Sequence, residues 1–380
     1  MLDHQKVLTS LEGMKPKLFC SYDDEYERAK LGFKAACDDP LFIYKAEAEK
    51  SCLLARWQEP LGTTFPVANT TSNYTVLSVD GSQIYPDRHV GGAGCFLINT
   101  GSVFLEYDKS STIILSTEPY LLLTDEVSTT TNLRFSPDMV DLLREAYELN
   151  RLYQDAIKHE QPPLCLVDGS LIFWQLEGKE PDVKSYFLTQ YLAALDLMYQ
   201  KKILVAGYIS FPKSRELVNI IKLELCKNKQ LPCAPCPPTS NNPGCQTITH
   251  LVDSSICSLY VQPWFRTQLF SSRSKIIDEY PNHLKPYFFY MDVEYETIRI
   301  EIPQWIAQDI QAVDHIASQI KDQVRKGLGY PVVLAEAHNQ AVVTGIDRDF
   351  FYHLLRKVGL DAGKTVSLSQ KSFKKRHMGI

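Results

Sequence analysis

Two stretches of this 380-residue chain carry an apolar run into the same tripeptide, Asp-Gly-Ser: YTVLSVDGSQI at 74–84 and LCLVDGSLIFW at 164–174. Short runs of β-branched and aliphatic residues read as buried strands, and Asp-Gly is a turn former at a strand's end. A fold that accepts both stretches must carry two strands whose ends present Asp80 and Asp168. If those ends share one edge of one sheet, the acids make an anionic pocket. Unit charges about 4 Å apart repel by about 4 kcal/mol at an effective dielectric near 20, so such a pocket calls for a divalent cation.

The elements around the two aspartates bear on whether one sheet can hold both. After the strand Tyr74–Val79, residues 91–107 carry two apolar runs flanking Asn99-Thr100-Gly101, which predicts an antiparallel hairpin. Residues 113–127 read as a strand and a short helix. Ser136-Pro137-Asp138 opens a helix, with Ser at the cap and Pro in the first turn. Met139, Leu142, Leu143, Ala146, Leu149, Leu152 and Tyr153 make its apolar stripe, to about Lys158. Pro162-Pro163 precedes the second Asp-Gly-Ser strand, and a helix at Asp182–Gln200 and a strand at Ile203–Ser210 follow. Three antiparallel strands and then parallel strands joined by helices give the ribonuclease H-like topology, an α/β fold with a mixed sheet and flanking helices. There, acids come from the first strand, the first helix and the fourth strand. Asp80 and Asp168 fall on the two strands, and the helix offers Glu145 or Glu148, neighbours on its surface. Glu148 is preferred because it lies nearer the following strand.

The remaining segments divide the chain into three parts. Residues 1–70 read as an N-terminal helical arm, with helices at Glu25–Phe33 and Ala46–Trp57 and breaks at Pro60, Gly62 and Pro66. Residues 71–345 form the main domain. Within it, the loop after Ser210 carries Lys213 and Arg215 and leads into an apolar helix; residues 227–248 are a Cys- and Pro-rich insertion, and 253–280 look helical. Tyr287–Val293 and Thr297–Ile302 form a strand pair. The helix Asp309–Lys326 stops at Gly327 and Gly329, and Tyr330–Leu334 reads as a last strand running into a helix that carries His338. Residues 346–380 form a C-terminal extension, a helix and a basic tail with Lys371–His377.

A net charge of −5 leaves no basic footprint, so any nucleic-acid contact must be local. Lys213 and Arg215 are the candidates. The start MLDHQKVLTSLEG has no signal-peptide pattern, and no apolar run reaches the roughly 18 residues of a membrane span. The ten cysteines read as thiols of a reducing compartment, so the expected location is cytoplasmic. Cys233-x-x-Cys236 has zinc-ligand spacing, but Pro232, Pro235, Pro237 and Pro238 stiffen the loop and no second such pair exists. Free thiols are the favoured reading there, with a structural metal on Cys233 and Cys236 as the alternative.

Taken in order, VDGSQ, the Glu-bearing helix, LVDGSL, SFPKSRE, IRIEIP and GYPVVLAEAH resemble the NurA-domain nucleases over about residues 70–345. The resemblance implies a manganese-dependent deoxyribonuclease, with magnesium as an alternative ion. It also implies digestion of DNA from 5′ ends, cutting of single strands, and a homodimer docked on a HerA-type hexameric ATPase translocase. Carried onto this chain, the site is Asp80, Glu148 or Glu145, Asp168, Tyr330 and His338. The carboxylates and His338 would hold two metals, and Tyr330 would position a phosphate or base. A non-catalytic DNA-binding adaptor of a translocase is the competing reading. An actin-like or sugar-kinase-like ATPase is a third, weakened because Gln83-Ile84 and Leu171-Ile172 after Asp-Gly-Ser make a poor phosphate cradle.

Overall fold

The computed structural model describes residues 2–49, 53–70, 73–86, 94–108, 111–226 and 248–363. Three helices open the chain: α1 (His4–Leu18), α2 (Asp23–Asp38) and α3 (Phe42–Ala48). Two short strands follow, β1 (Arg56–Trp57) and β2 (Thr64–Pro66), so the arm is not wholly helical as its apolar spacing suggested. Trp57 is buried, and β1 and β2 pair with strands formed some two hundred residues later, information that local spacing cannot carry.

The central sheet begins with three long antiparallel strands, β3 (Tyr74–Ile84), β4 (Cys95–Tyr107) and β5 (Thr112–Leu123). After α4 (Thr124–Thr131), α5 (Asp138–Ala156) leads to β6 (Leu164–Asp168), and α6 (Pro181–Gln200) leads to β7 (Val205–Ile209). β6 runs parallel to β3, and β7 parallel to β6. The order β5-β4-β3-β6-β7 with these directions is the ribonuclease H-like arrangement expected from the sequence. α7 (Glu216–Leu225) and α8 (Asp253–Cys257) precede β8 (Phe265–Thr267), β9 (Phe270–Ser271), β10 (Pro286–Asp292) and β11 (Thr297–Pro303). These later strands extend the sheet beyond β7 in the order β11-β10-β9-β1, with β8 joining β10 to β2. Residues 253–280 are therefore not one helical segment. Only Asp253–Cys257 is α-helical, and Phe265–Thr267 and Phe270–Ser271 are strands. Their aromatic and β-branched residues suit a pleated, half-buried surface better than a helix.

The chain closes with α9 (Gln304–Ala307), α10 (Ile310–Lys326), α11 (Val332–Ala341) and α12 (Gly345–Asp361). Asp309 caps α10 by accepting from the Gln311 and Ala312 amides at 3.0 and 3.3 Å. The expected strand at Tyr330–Leu334 is instead a loop and the first turn of α11. Gly327 and Gly329 reverse the chain, the latter at φ +123, and Pro331 starts the helix. The main core lies between the central sheet and α5, α6, α10 and α11. A second cluster sets Phe42, Leu54 and Trp57 of the arm against Phe270, Phe288 and Tyr290. No helix among the described residues is long and apolar enough to cross a membrane. Cys233, Cys236 and the tail Lys371–His377 lie outside the described residues.

Candidate active site

Strand register puts the two aspartates level. Val76 pairs with Leu164 across β3 and β6, and Asp80 and Asp168 each follow four residues on. β6 stops at Asp168 while β3 continues to Ile84, which opens a notch in the sheet beside Asp80 and Gly81. The two Asp-Gly-Ser copies thus differ. At Gly169 the chain does turn, with φ +135. At Gly81 it does not: Asp80, Gly81 and Ser82 stay in β3, paired with Gly101, Thr100 and Asn99. The expected hairpin at Asn99-Thr100-Gly101 is accordingly absent, and those residues lie mid-strand in β4.

The notch is closed from both faces of the sheet, because successive residues of β3 point to opposite sides. On one side, a Cβ at Gly81 would lie 2.4 Å from Glu148 Oε1 and 2.8 Å from Arg144 Cγ, so α5 rests directly on the strand. On the other, the Ser82 hydroxyl and the Asn99 amide (2.9 Å) donate to the Ala341 carbonyl of α11. A Cβ at Gly101 would lie 2.4 Å from the Ala341 nitrogen. Both glycines serve close helix approach, not turning. Seated this way, α11 brings His338 Nδ1 to 2.9 Å from Asp80 Oδ2. Asp80 Oδ1 accepts from the Gly81 amide at 2.8 Å.

Asp80, Glu148 and Asp168 line one cavity of about 330 Å³, with Arg144, Glu145, Ser170, Trp174 and Gln175 around them. Arg144 donates to Glu148 and, at 3.4 Å, to the Gly81 carbonyl. Burial pushes Glu148 up to about 8, reinforced by repulsion from Asp80 and Glu145 and opposed by Arg144. Partial burial and Asp80 also raise Asp168, against the Tyr330 hydroxyl that donates to it and the nearby His338. Burial lifts Glu145 to about 7, but its partners are Arg144 and Gln175, and the charge that reinforces the rise is Asp141, not Asp80. Of the two helix acids, Glu148 is the one that interacts with Asp80. The Tyr330 ring stands edge-on to Tyr208, with centroids 5.3 Å apart.

The turn that carries Asp168 is anchored from β11. Glu301 Oε2 accepts from the Ser170 hydroxyl at 2.7 Å and the Leu171 amide at 2.9 Å. Arg299 bonds Glu301 at 2.8 Å and Glu216 at 3.1 Å, all three buried. Neither these supports nor Arg144 can be assigned a role from local spacing. The signal they leave is two charges, Arg299 and Glu301, spaced i,i+2 in an apolar strand and so on one face. Lys213 and Arg215 are not brought to the carboxylates. They line a neighbouring cavity, and Arg215 donates to the Ile248 carbonyl at 3.0 Å.

Among the described residues no group of three or more His, Cys, Asp and Glu side chains is closed up around a metal position. Asp80 faces His338, and Glu148 faces Arg144. The donor chemistry nevertheless fits a divalent ion. Four carboxylates, Asp80, Glu145, Glu148 and Asp168, line one cavity, Glu148 and Asp168 raised by burial and by the Asp80 charge, with the His338 imidazole against Asp80.

The NurA domain model matches residues 74–343. No curated protein matches the sequence. The crystal structure of the NurA nuclease from Sulfolobus solfataricus is 15% identical, with 95% of this chain and 98% of that chain covered and a TM-score of 0.55. A crystal structure of NurA with manganese is 11% identical over 93% of this chain and 98% of that one, with a TM-score of 0.42. Since the family model spans well over half of its length, this chain belongs to the NurA domain family.

Proposed function

We propose that this protein is a divalent-metal-dependent nuclease that hydrolyses DNA, acting 5′ to 3′ from ends and within single strands during recombination repair. The observation that carries the proposal is the shared cavity of Asp80, Glu148 and Asp168, set at a sheet notch and flanked by His338. Family membership supports the same reading.

Asp80, Glu148 and Asp168 would hold the metal, and His338 would ligate a second ion or carry a proton. When bound, such an ion neutralises charge at the phosphate and lowers the pKa of a coordinated water. An imidazole among carboxylates favours manganese over magnesium. Tyr330, tied to Asp168 and packed on Tyr208, would fix that carboxylate's orientation. Arg144 engages Glu148 through Oε1, which leaves Oε2 for a metal, and the guanidinium would hold the carboxylate in its ionised, ligating form. On family grounds we extend the proposal to a homodimer working with a HerA-type hexameric translocase.

The test is digestion of single- and double-stranded DNA labelled at either end, with manganese, magnesium or chelator, using Asp80→Ala and Asp168→Ala as controls. Calorimetric titration of manganese runs in parallel. Both variants should lose cutting and manganese binding together. Cutting that survives either substitution removes that residue from the site.

A further inference from the structure

Phe211 lies three residues past Tyr208, the β7 residue level with Asp168. Its backbone turns into the left-handed region, at φ 44. A bulky residue rarely adopts that conformation and keeps it only where its surroundings hold it. The hold is Glu296, whose carboxylate accepts from the Ser210 hydroxyl and the Phe211 amide, each at 2.7 Å. The clamp presents a phenyl ring that is 74% exposed. Tyr295, also exposed, belongs to the β10–β11 turn at the same sheet edge, since β11 runs antiparallel to β7. Two residues beyond Phe211, Lys213 is exposed and has no carboxylate partner among the described residues. The cavity of about 360 Å³ beneath this loop is walled by Leu53, Ile209 and Pro212, and it shares Gly169, Ser170 and Trp174 with the acid cavity.

We propose that Phe211 and Lys213 form a landing for single-stranded nucleic acid, Phe211 stacking on a base and Lys213 meeting a backbone phosphate. The strand then passes over Gly169 and Ser170 to Asp168. This rests on the nuclease reading of the acid site and adds to it the residues that admit substrate. A chain with a net charge of −5 and a cavity lined with carboxylates needs a cation and a neutral stacking surface on the approach. Every base has a π-face, so one clamped ring serves any sequence. A protein seated on Phe211 would instead cover the way to the acids.

The test is binding without hydrolysis: fluorescence anisotropy of a labelled single-stranded oligonucleotide in chelator, with 2-aminopurine in the strand as a stacking probe. Phe211→Ala should weaken single-strand binding about tenfold and abolish 2-aminopurine quenching, while Phe211→Trp retains both. Lys213→Ala should reduce the slope of log affinity against log salt by about one phosphate contact. Phe350→Ala, which removes an exposed ring on α12, is the control and should change neither readout. Unchanged affinity and quenching in Phe211→Ala overturn the proposal, including the case where the ring serves a protein partner. A wild-type protein that binds no single strand at low salt also overturns the proposal, whereas the nuclease reading stands or falls on the cutting assay with Asp80→Ala and Asp168→Ala, so the two failures are distinct.

Discussion

Gly81 leaves the space that Glu148 occupies beside Asp80. A methyl group there would press on Glu148 Oε1 at 2.4 Å and on Arg144 Cγ at 2.8 Å. The Glu148 carboxyl can swing away, but Arg144 Cγ belongs to a side-chain stem close to the helix, so α5 must also shift slightly as the acid leaves its place. Gly81→Ala should therefore lower kcat about a hundredfold, the cost of misplacing a reacting group by about an ångström, with KM nearly unchanged and a modest fall in melting temperature from the pressed helix. Steady-state kinetics beside a thermal melt checks this, and wild-type kcat would take Glu148 out of the reaction. Glu148→Gln should lose more than about a hundredfold and Glu145→Gln only a few-fold, because only Glu148 interacts with the Asp80 charge. The reverse ranking would transfer the role to Glu145. The aspartates were legible in the sequence, since an apolar run carrying an acid at its end is a local signal. The choice between Glu145 and Glu148 depends on where a helix crosses a strand, and no spacing rule within the helix encodes that. Nor does the tripeptide separate Gly81, an in-strand contact point, from Gly169, a true turn at φ +135.

At the scale of elements, the decisive contact is that of α11 on β3 and β4. Asn99-Thr100-Gly101 reads as a turn because it holds turn residues, yet here it is the seat of a helix: Asn99 bonds the Ala341 carbonyl, and Gly101 gives the helix backbone room. Local composition cannot tell a turn from a seat, because the contact partner lies some 240 residues downstream. The same limit applies to Tyr330, whose placement depends on the reversal at Gly327 and Gly329. By contrast, α5, α6 and α10 were legible to within a residue or two, since apolar stripes and capping residues are local. Gly101→Val sets β4 against helix backbone, with atoms at 2.4 and 2.5 Å from the new Cβ and no flexible side chain to yield. It should cost about 1–3 kcal/mol in urea unfolding, the usual range for overpacking. It should also lower activity as His338 shifts from Asp80. His338→Ala should lower activity alone, because that side chain is 65% exposed. Wild-type stability in Gly101→Val would mean that α11 does not rest on the strand.

Across the whole molecule, the sheet that frames the site is also the surface on which the N-terminal arm is held. Gly32 of α2 lies so close to α7 that a Cβ would meet Ile221 Cγ2 at 2.7 Å, and Ala29 packs with Val218, Ile221 and Ile256. A polar latch completes the contact. Glu25 accepts from the Thr249 and His250 amides at 3.0 Å each and from the Thr249 hydroxyl at 2.9 Å. Burial alone would raise the Glu25 carboxyl, but the hydrogen bonds from His250 and Thr249 outweigh it and hold the group down at about 2, against 4.5 for a free side chain. A carboxyl depressed in the folded state contributes its full stabilisation above pH 4.5 and loses it as pH falls from 4.5 toward 2. Amide hydrogen exchange in α2, corrected for the intrinsic pH dependence of exchange, should therefore rise through that window and stay flat above it. Glu25→Gln should exchange faster at neutral pH and lose the acid-dependent increment. If wild type and Glu25→Gln follow the same pH course, the latch does not hold the arm, and apolar packing on α7 alone keeps it on the sheet that presents Asp80 and Asp168.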